Sequence, residues 1–273
     1  MPDVPTAGQL ALLFVSIAFF AAGEVLSVLR LKNDTRDRRI AAKACIYWGI
    51  LLGVGVFIWH SLRRGSWMPL EDNFDALIWL GLLLALFVAY TQWSHPLRGL
   101  DWFILPIVEM LLVAAAVFGR TKPHEYVGSA WLWTHLVTAF GGAAAFAVAG
   151  AVGAMYLIAD RRLRQKQKSL VGSLERLERF TRISVALGFG LLTVGLITGL
   201  MRVVGYHRTS IVGPPWYESP KVWLAFAAWV VYAVVLHAPM NPVFRGRRAA
   251  MLSVIGFVLM IGTLIAVQYM PAK

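Results

Sequence analysis

Apolar residues along the chain fall into eight runs of roughly 20, at about 8–30, 41–62, 75–94, 100–119, 131–159, 180–205, 220–238 and 248–270. Short polar segments separate them. Each run is long enough to cross about 30 Å of hydrocarbon at about 1.5 Å per residue. In lipid a spanning segment must satisfy its own backbone hydrogen bonds, so runs of this length predict helices. The chain is therefore expected to be all-α, a polytopic membrane protein of about eight transmembrane helices, with 1–273 forming a single transmembrane domain. An even number of crossings puts both termini on one side. The first run has no basic leader and no small-residue cleavage site, and it is too long for a signal peptide. It is expected to be a retained helix.

Composition agrees with the pattern. Of 273 residues, 59% are hydrophobic and 15% charged, which excludes a soluble enzyme, a secreted module and a disordered regulator. The net charge of +12 would suggest nucleic acid in a soluble chain. Here the basic residues lie between apolar runs, where they set topology. Eighteen of the 26 Lys and Arg follow runs one, three, five and seven, so the positive-inside bias places both termini outside the cytoplasm. Cys45 is the single cysteine, so no intramolecular disulfide can form. No C-x-x-C-H is present, so the chain is not itself a c-type cytochrome.

Two connections stand out. The inner one, 160–181, carries Leu170, Leu174, Leu177 and Phe180 at helical spacing amid Arg and Glu. It predicts either an amphipathic helix along the inner leaflet, its basic start suited to anionic lipid, or a solvated connector held by topology alone. The outer one, 206–221, holds Gly213, Pro214 and Pro215, which break any helix, and Pro220, which suits the first turn of the next. Its Trp216 and Tyr217 join Trp67, Trp131 and Trp133 as candidates for an outer aromatic belt.

Ionisable groups inside a membrane are costly and therefore candidates for function. Glu24 and Glu109 lie within spans one and four. Each is expected to pair with an Arg or His on a neighbouring helix or to stay protonated. Six histidines, His60, His95, His124, His135, His207 and His237, carry more information. On the predicted topology His135 lies near the outer face. His237 lies near the inner face, about 20 Å away along the membrane normal. They cannot ligate one iron, so they predict either two separate sites or two packing histidines. Imidazole is a standard axial ligand of haem iron. Trp131 and Trp133 flank His135, and Arg202, Arg208 and Lys221 lie close to Trp216 and Tyr217. The outer face thus combines an imidazole, flat apolar surfaces and cations for propionates.

The stretch SPKVWLAFAAWVVYAVVLH, Ser219 to His237, followed by GRRAAMLSVIGFVLMIGTLIAV from Gly246, resembles the cytochrome c assembly family. That family comprises the CcsA, ResC and CcmC haem-handling proteins and their HemX and YpjD relatives. Trp229, Tyr232 and His237 match its W-x-x-Y-x-x-x-x-H ending. The WTHLVTAFGGAAAFAVAGAVGAMYL stretch is similar to the family helix that opens on a histidine and is rich in small residues. NFDALIWLGLLLALFVAY and PLRGLDWFILPIVEMLL are similar to the N-terminal half of the eight-span HemX/YpjD branch. The resemblance covers about 73–267.

By that resemblance His135 corresponds to an outer haem ligand and His237 to the histidine within the membrane. His207 is a candidate second outer ligand and His95 a candidate inner partner of His237. Trp216 and Lys221 belong to the segment that presents haem. That segment departs from the family's W-G-x-x-W-x-W-D-P-K-E: Glu218, Ser219 and Val222 stand where Trp, Asp and Glu are expected, and Trp223 is shifted by one place. The resemblance thus implies a protein of the bacterial inner membrane that binds or delivers b-type, non-covalent haem in cytochrome c biogenesis. No independent catalysis is expected. Its implied partners are a ResB/CcsB-like membrane protein and apocytochrome c. A HemX-like accessory subunit without haem is the alternative, and a secondary transporter ranks third. The Gly- and Ala-rich face from Gly141 to Gly153 suits close helix packing under any of these.

Overall fold

The computed structural model describes residues 4–33, 35–67, 70, 72–94, 97, 99–121, 130–167, 171–209, 220–237 and 246–269, with the backbone alone described at 32, 202–209, 220, 221 and 266–269. Every regular element among them is helical. They are α1 (Ala7–Lys32), α2 (Arg36–Arg64), α3 (Asn73–Ser94), α4 (Leu100–Phe118), α5 (Ala130–Arg164), α6 (Leu174–Thr209), α7 (Pro220–His237) and α8 (Arg247–Tyr269). Seven are long and apolar enough to cross a membrane, and α7 holds a shorter apolar stretch, Val222–His237. At 18 residues, α7 rises about 27 Å, close to the hydrocarbon thickness.

The helices group into two compact units. Unit 1 is Met1–Glu125 with Leu170–Gly172, and unit 2 is Tyr126–Ser169 with Ser173–Lys273. In unit 1, α1 starts with a capping box in which Thr6 and Gln9 satisfy each other's backbone N–H groups. Phe20 of α1 is fully buried, its ring lying where a Cβ on Gly49 of α2 would sit. The Ser16 hydroxyl donates to the Gly49 carbonyl at 2.8 Å. Helix α3 packs on α4, and α4 on α1. Gly99, at φ 90°, turns the chain into α4, and Val171 packs beside it.

In unit 2, α5 packs along both α6 and α8, with α7 laid against α6 and α8. Small residues make the close approach possible. A Cβ on Gly153 would lie 2.9 Å from the Ala250 carbonyl oxygen, and one on Gly188 would lie 2.6 Å from the Phe146 ring. Phe146 stacks on Tyr232 with ring centroids 3.5 Å apart and planes 6° from parallel.

The inner connection differs from the expectation. Residues 160–164 are the last turn of α5, and 174–181 are the first turns of α6, continuous with the span. No separate interfacial helix is present among the described residues, because Leu177 is fully buried and the charged residues around it are good helix formers. The outer connection is shorter than the drawn 206–221, since α6 runs to Thr209 and α7 begins at Pro220.

Candidate functional site

His135 sits on the second turn of α5, half-buried, facing α6. Its Nδ1 lies 2.8 Å from the backbone carbonyl oxygen of Gly195. A carbonyl oxygen only accepts, so Nδ1 must carry the proton. In the neutral ring the Nε2 lone pair is then the coordinating one. A backbone carbonyl holding the far nitrogen of a histidine is a recurrent way of orienting a metal ligand. Trp131, one turn earlier, is exposed.

His237 ends α7. Its Nδ1 lies 2.7 Å from the Ala233 carbonyl of its own helix, and the side chain is exposed. This ring too is an Nδ1–H tautomer with the Nε2 lone pair directed away from that bond. The other matched residues of α7 dock the helix. Trp229 donates Nε1–H to Thr193 Oγ1 of α6 at 2.9 Å. Tyr232 is fully buried and donates its hydroxyl to the Ser253 carbonyl of α8 at 3.3 Å. His135 meets Gly199 of α6, while Trp229 and Tyr232 of α7 meet Thr193 and Phe146, so the end of α7 that carries His237 runs away from the His135 end of unit 2.

The remaining predicted residues are not tested by geometry. His95 and Trp216 lie outside the described residues, while His207 and Lys221 lie on α6 and α7 at positions where only the backbone is described. Among the described residues no group of three or more His, Cys, Asp or Glu side chains is arranged to chelate a metal ion directly.

Unit 1 contains three polar contacts that sequence reasoning did not assemble. At one end, buried His60 has both ring nitrogens engaged, Nε2 with Asp72 at 2.7 Å and Nδ1 with the Gln9 amide at 3.4 Å. Its tautomer is opposite to that of His135, and its role is structural. Asp72 also accepts from Arg64 at 3.0 Å and from the Asp75 amide at 2.8 Å. Burial alone would push its carboxyl up. Hydrogen bonds from His60 and the Asp75 amide, with the nearby Arg64 charge, outweigh burial and hold Asp72 below its ordinary value. At the other end, Asp101 accepts from Ser27 at 3.1 Å and Gln92 at 2.9 Å, with Arg30 at 3.8 Å. Between the ends, Glu24 of α1 and Glu109 of α4 lie close enough for their carboxyls to interact. Of the two outcomes expected for them, an Arg or His partner or a retained proton, a carboxyl facing a carboxyl suits the second.

The family model described as cytochrome C assembly protein matches residues 67–271. The CcsA cytochrome c biogenesis protein of Thermosynechococcus vestitus is 37% identical over 83 residues, 30% of this chain and 24% of that protein. CcsA of Zea mays is 34% identical over 85 residues, 31% of this chain and 25% of that protein. The aligned stretch therefore spans about a quarter of these relatives' length. Among solved structures, the cytochrome c haem lyase CcmF superposes with a TM-score of 0.62 at 16% identity, over 94% of this chain and 46% of CcmF. That likeness is one of fold.

Proposed function

The chain belongs to the cytochrome c assembly protein family, and on that premise we propose that it binds haem and passes it on during cytochrome c biogenesis. The observation that carries this reading is the His135 imidazole, its Nδ1–H tied to the Gly195 carbonyl at 2.8 Å. That bond sets the Nε2 lone pair up as an axial ligand. His237 has the same tautomer at the opposite end of the unit, which suits a second haem position. Haem when bound supplies the iron and is itself the cargo. The chain's own part is to bind the ring, orient it and keep its iron ligated, and no catalytic step is assigned to it.

The positive-inside bias supports a non-cytoplasmic position for the His135 end of unit 2, the side on which apocytochrome c would be met. A ResB/CcsB-like membrane protein is the proposed partner, and the bacterial inner membrane the proposed location. His207, Trp216 and Lys221 are the proposed outer contacts and His95 the proposed inner one.

The test is the absorption spectrum of detergent-purified protein, oxidised and then dithionite-reduced, beside His135→Ala and His237→Ala. A Soret band with α and β bands in the wild type, lost or shifted in one variant, supports haem handling and tells which end holds it. A flat visible spectrum from folded protein, still flat after haem is added, refutes the reading and favours an accessory subunit without haem.

A further inference from the structure

We propose that Gly199 of α6 is a positioning residue for His135, because its missing side chain opens the Gly195 carbonyl to the imidazole. In an α-helix every Cα–Cβ bond tilts toward the N-terminus, so the side chain at one position covers the carbonyl about one turn earlier. Residue 199 is the one that would cover the carbonyl of residue 195. The structure bears this out in detail. A Cβ built on Gly199 would lie 2.8 Å from His135 Cε1, 3.0 Å from Nδ1 and 3.6 Å from Nε2. The ring edge that carries the Nδ1–H therefore occupies the space an alanine methyl would fill.

Gly195 matters for a related reason. A Cβ there would lie 3.3 Å from Thr138 Oγ1 and 3.5 Å from the Ala139 amide nitrogen, so glycine lets α5 and α6 run close enough for the bond. The Gly195 carbonyl also receives the Thr198 hydroxyl at 3.1 Å, which is shared with the Val194 carbonyl at 2.8 Å. The imidazole, the closer of this carbonyl's two side-chain donors, is thereby anchored on a rigid element.

The consequence is chemical. Without the Gly195 anchor, a neutral imidazole can place its proton on Nε2, and that tautomer cannot offer Nε2 to a metal. Gly199 thus selects the coordinating tautomer before any ligand arrives. This role bears on haem only through the ligation proposed above, so the test is made first without haem.

Protein labelled with ¹⁵N-histidine is prepared haem-free in detergent at about pH 8.5, above the ordinary imidazole value. The His135 signal is assigned by its loss in His135→Ala. The wild type is expected to show the Nδ1–H tautomer. Gly199→Ala is expected to lose it, and Gly190→Ala to keep it, because a Cβ on Gly190 of the same helix meets nothing within 4 Å. An Nε2–H tautomer in the wild type, or an unchanged signal in Gly199→Ala, overturns the proposal. Should Gly199→Ala fold poorly, the double variant decides. Adding His135→Ala removes the ring and should restore the melting temperature to that of His135→Ala alone. A backbone-packing role for Gly199 would show no such rescue and would refute positioning. Haem added afterwards separates the two ideas. A tautomer change in a protein that never binds haem leaves the positioning intact and removes the function. Unaltered haem binding in a folded Gly199→Ala removes the positioning and leaves the function.

Discussion

Replacing Asp72 by alanine should destabilise unit 1 more than any surface charge change. Asp72 is fully buried and receives three donors: His60 at 2.7 Å, Arg64 at 3.0 Å and the Asp75 amide at 2.8 Å. Alanine leaves the Arg64 head, with a side chain only 3% exposed, facing Asp75 at 3.6 Å and the Ser66 carbonyl at 3.3 Å. Removing one partner of a buried ion pair costs about 3–5 kcal/mol, because the other charge stays desolvated. Loss of the helix cap on α3 adds about 1 kcal/mol, while Asp75 recovers part of the Arg64 interaction, so about 3–5 kcal/mol remains the expected total. At roughly 3 °C per kcal/mol for a chain of this size, the melting temperature should fall by about 9–15 °C. The control is Asp160→Ala, which breaks a pair with Arg164 at 2.9 Å whose arginine side chain is 66% exposed. That pair is worth about 0.3–0.5 kcal/mol, or roughly 1 °C. The assay is thermal unfolding in detergent, read by a thiol-reactive dye at the partly buried Cys45 of α2. A drop for Asp72→Ala no larger than that for Asp160→Ala would refute the reasoning that this cluster locks α1, α2 and α3 together.

Three further outcomes are expected. Because the folded-state pKa of Asp72 is depressed, its contribution is fully present above the unfolded carboxylate value and is lost as pH falls through the folded one. Wild-type melting should therefore lose this contribution only below about pH 4, and Asp72→Asn should flatten that acid limb. Gly153→Ala should cost about 1–3 kcal/mol, since its Cβ meets the Ala250 backbone oxygen, which cannot swing aside. Gly190→Ala on the neighbouring helix should be neutral or slightly stabilising by the same melting assay. Tyr232→Ala should lower stability by about 3–5 kcal/mol through loss of a fully buried ring stacked on Phe146. Tyr232→Phe should cost only about 1 kcal/mol for the hydroxyl bond to Ser253. Equal melting temperatures for the two tyrosine variants would count against the stack.

Hydrophobic length alone determined that this chain is helical and where most helices lie. The run drawn at 75–94 is α3 from Asn73 to Ser94, and that drawn at 100–119 is α4 from Leu100 to Phe118. The match is close because a membrane-spanning segment has one solution, a helix as long as the hydrocarbon is thick. The helical extensions of α5 to Arg164 and of α6 back to Leu174 escaped that logic. There the helix continues past its apolar core on charged residues: the helical spacing of Leu174, Leu177 and Phe180 was legible, but not that this helix is continuous with the span.

The candidate ligands His135 and His237 were legible as histidines in otherwise apolar runs. Which nitrogen each presents was not, since that depends on the Gly195 and Ala233 carbonyls. Nor could the pairing of Glu24 with Glu109, or of His60 with Asp72, be read in advance. Spans apolar on every side announce their length but not the face that meets a neighbour. Gly190 and Gly199 make the distinction concrete. They are the same residue on the same helix. One borders open space and the other holds the edge of the His135 ring, a difference that exists only once α5 has packed against α6.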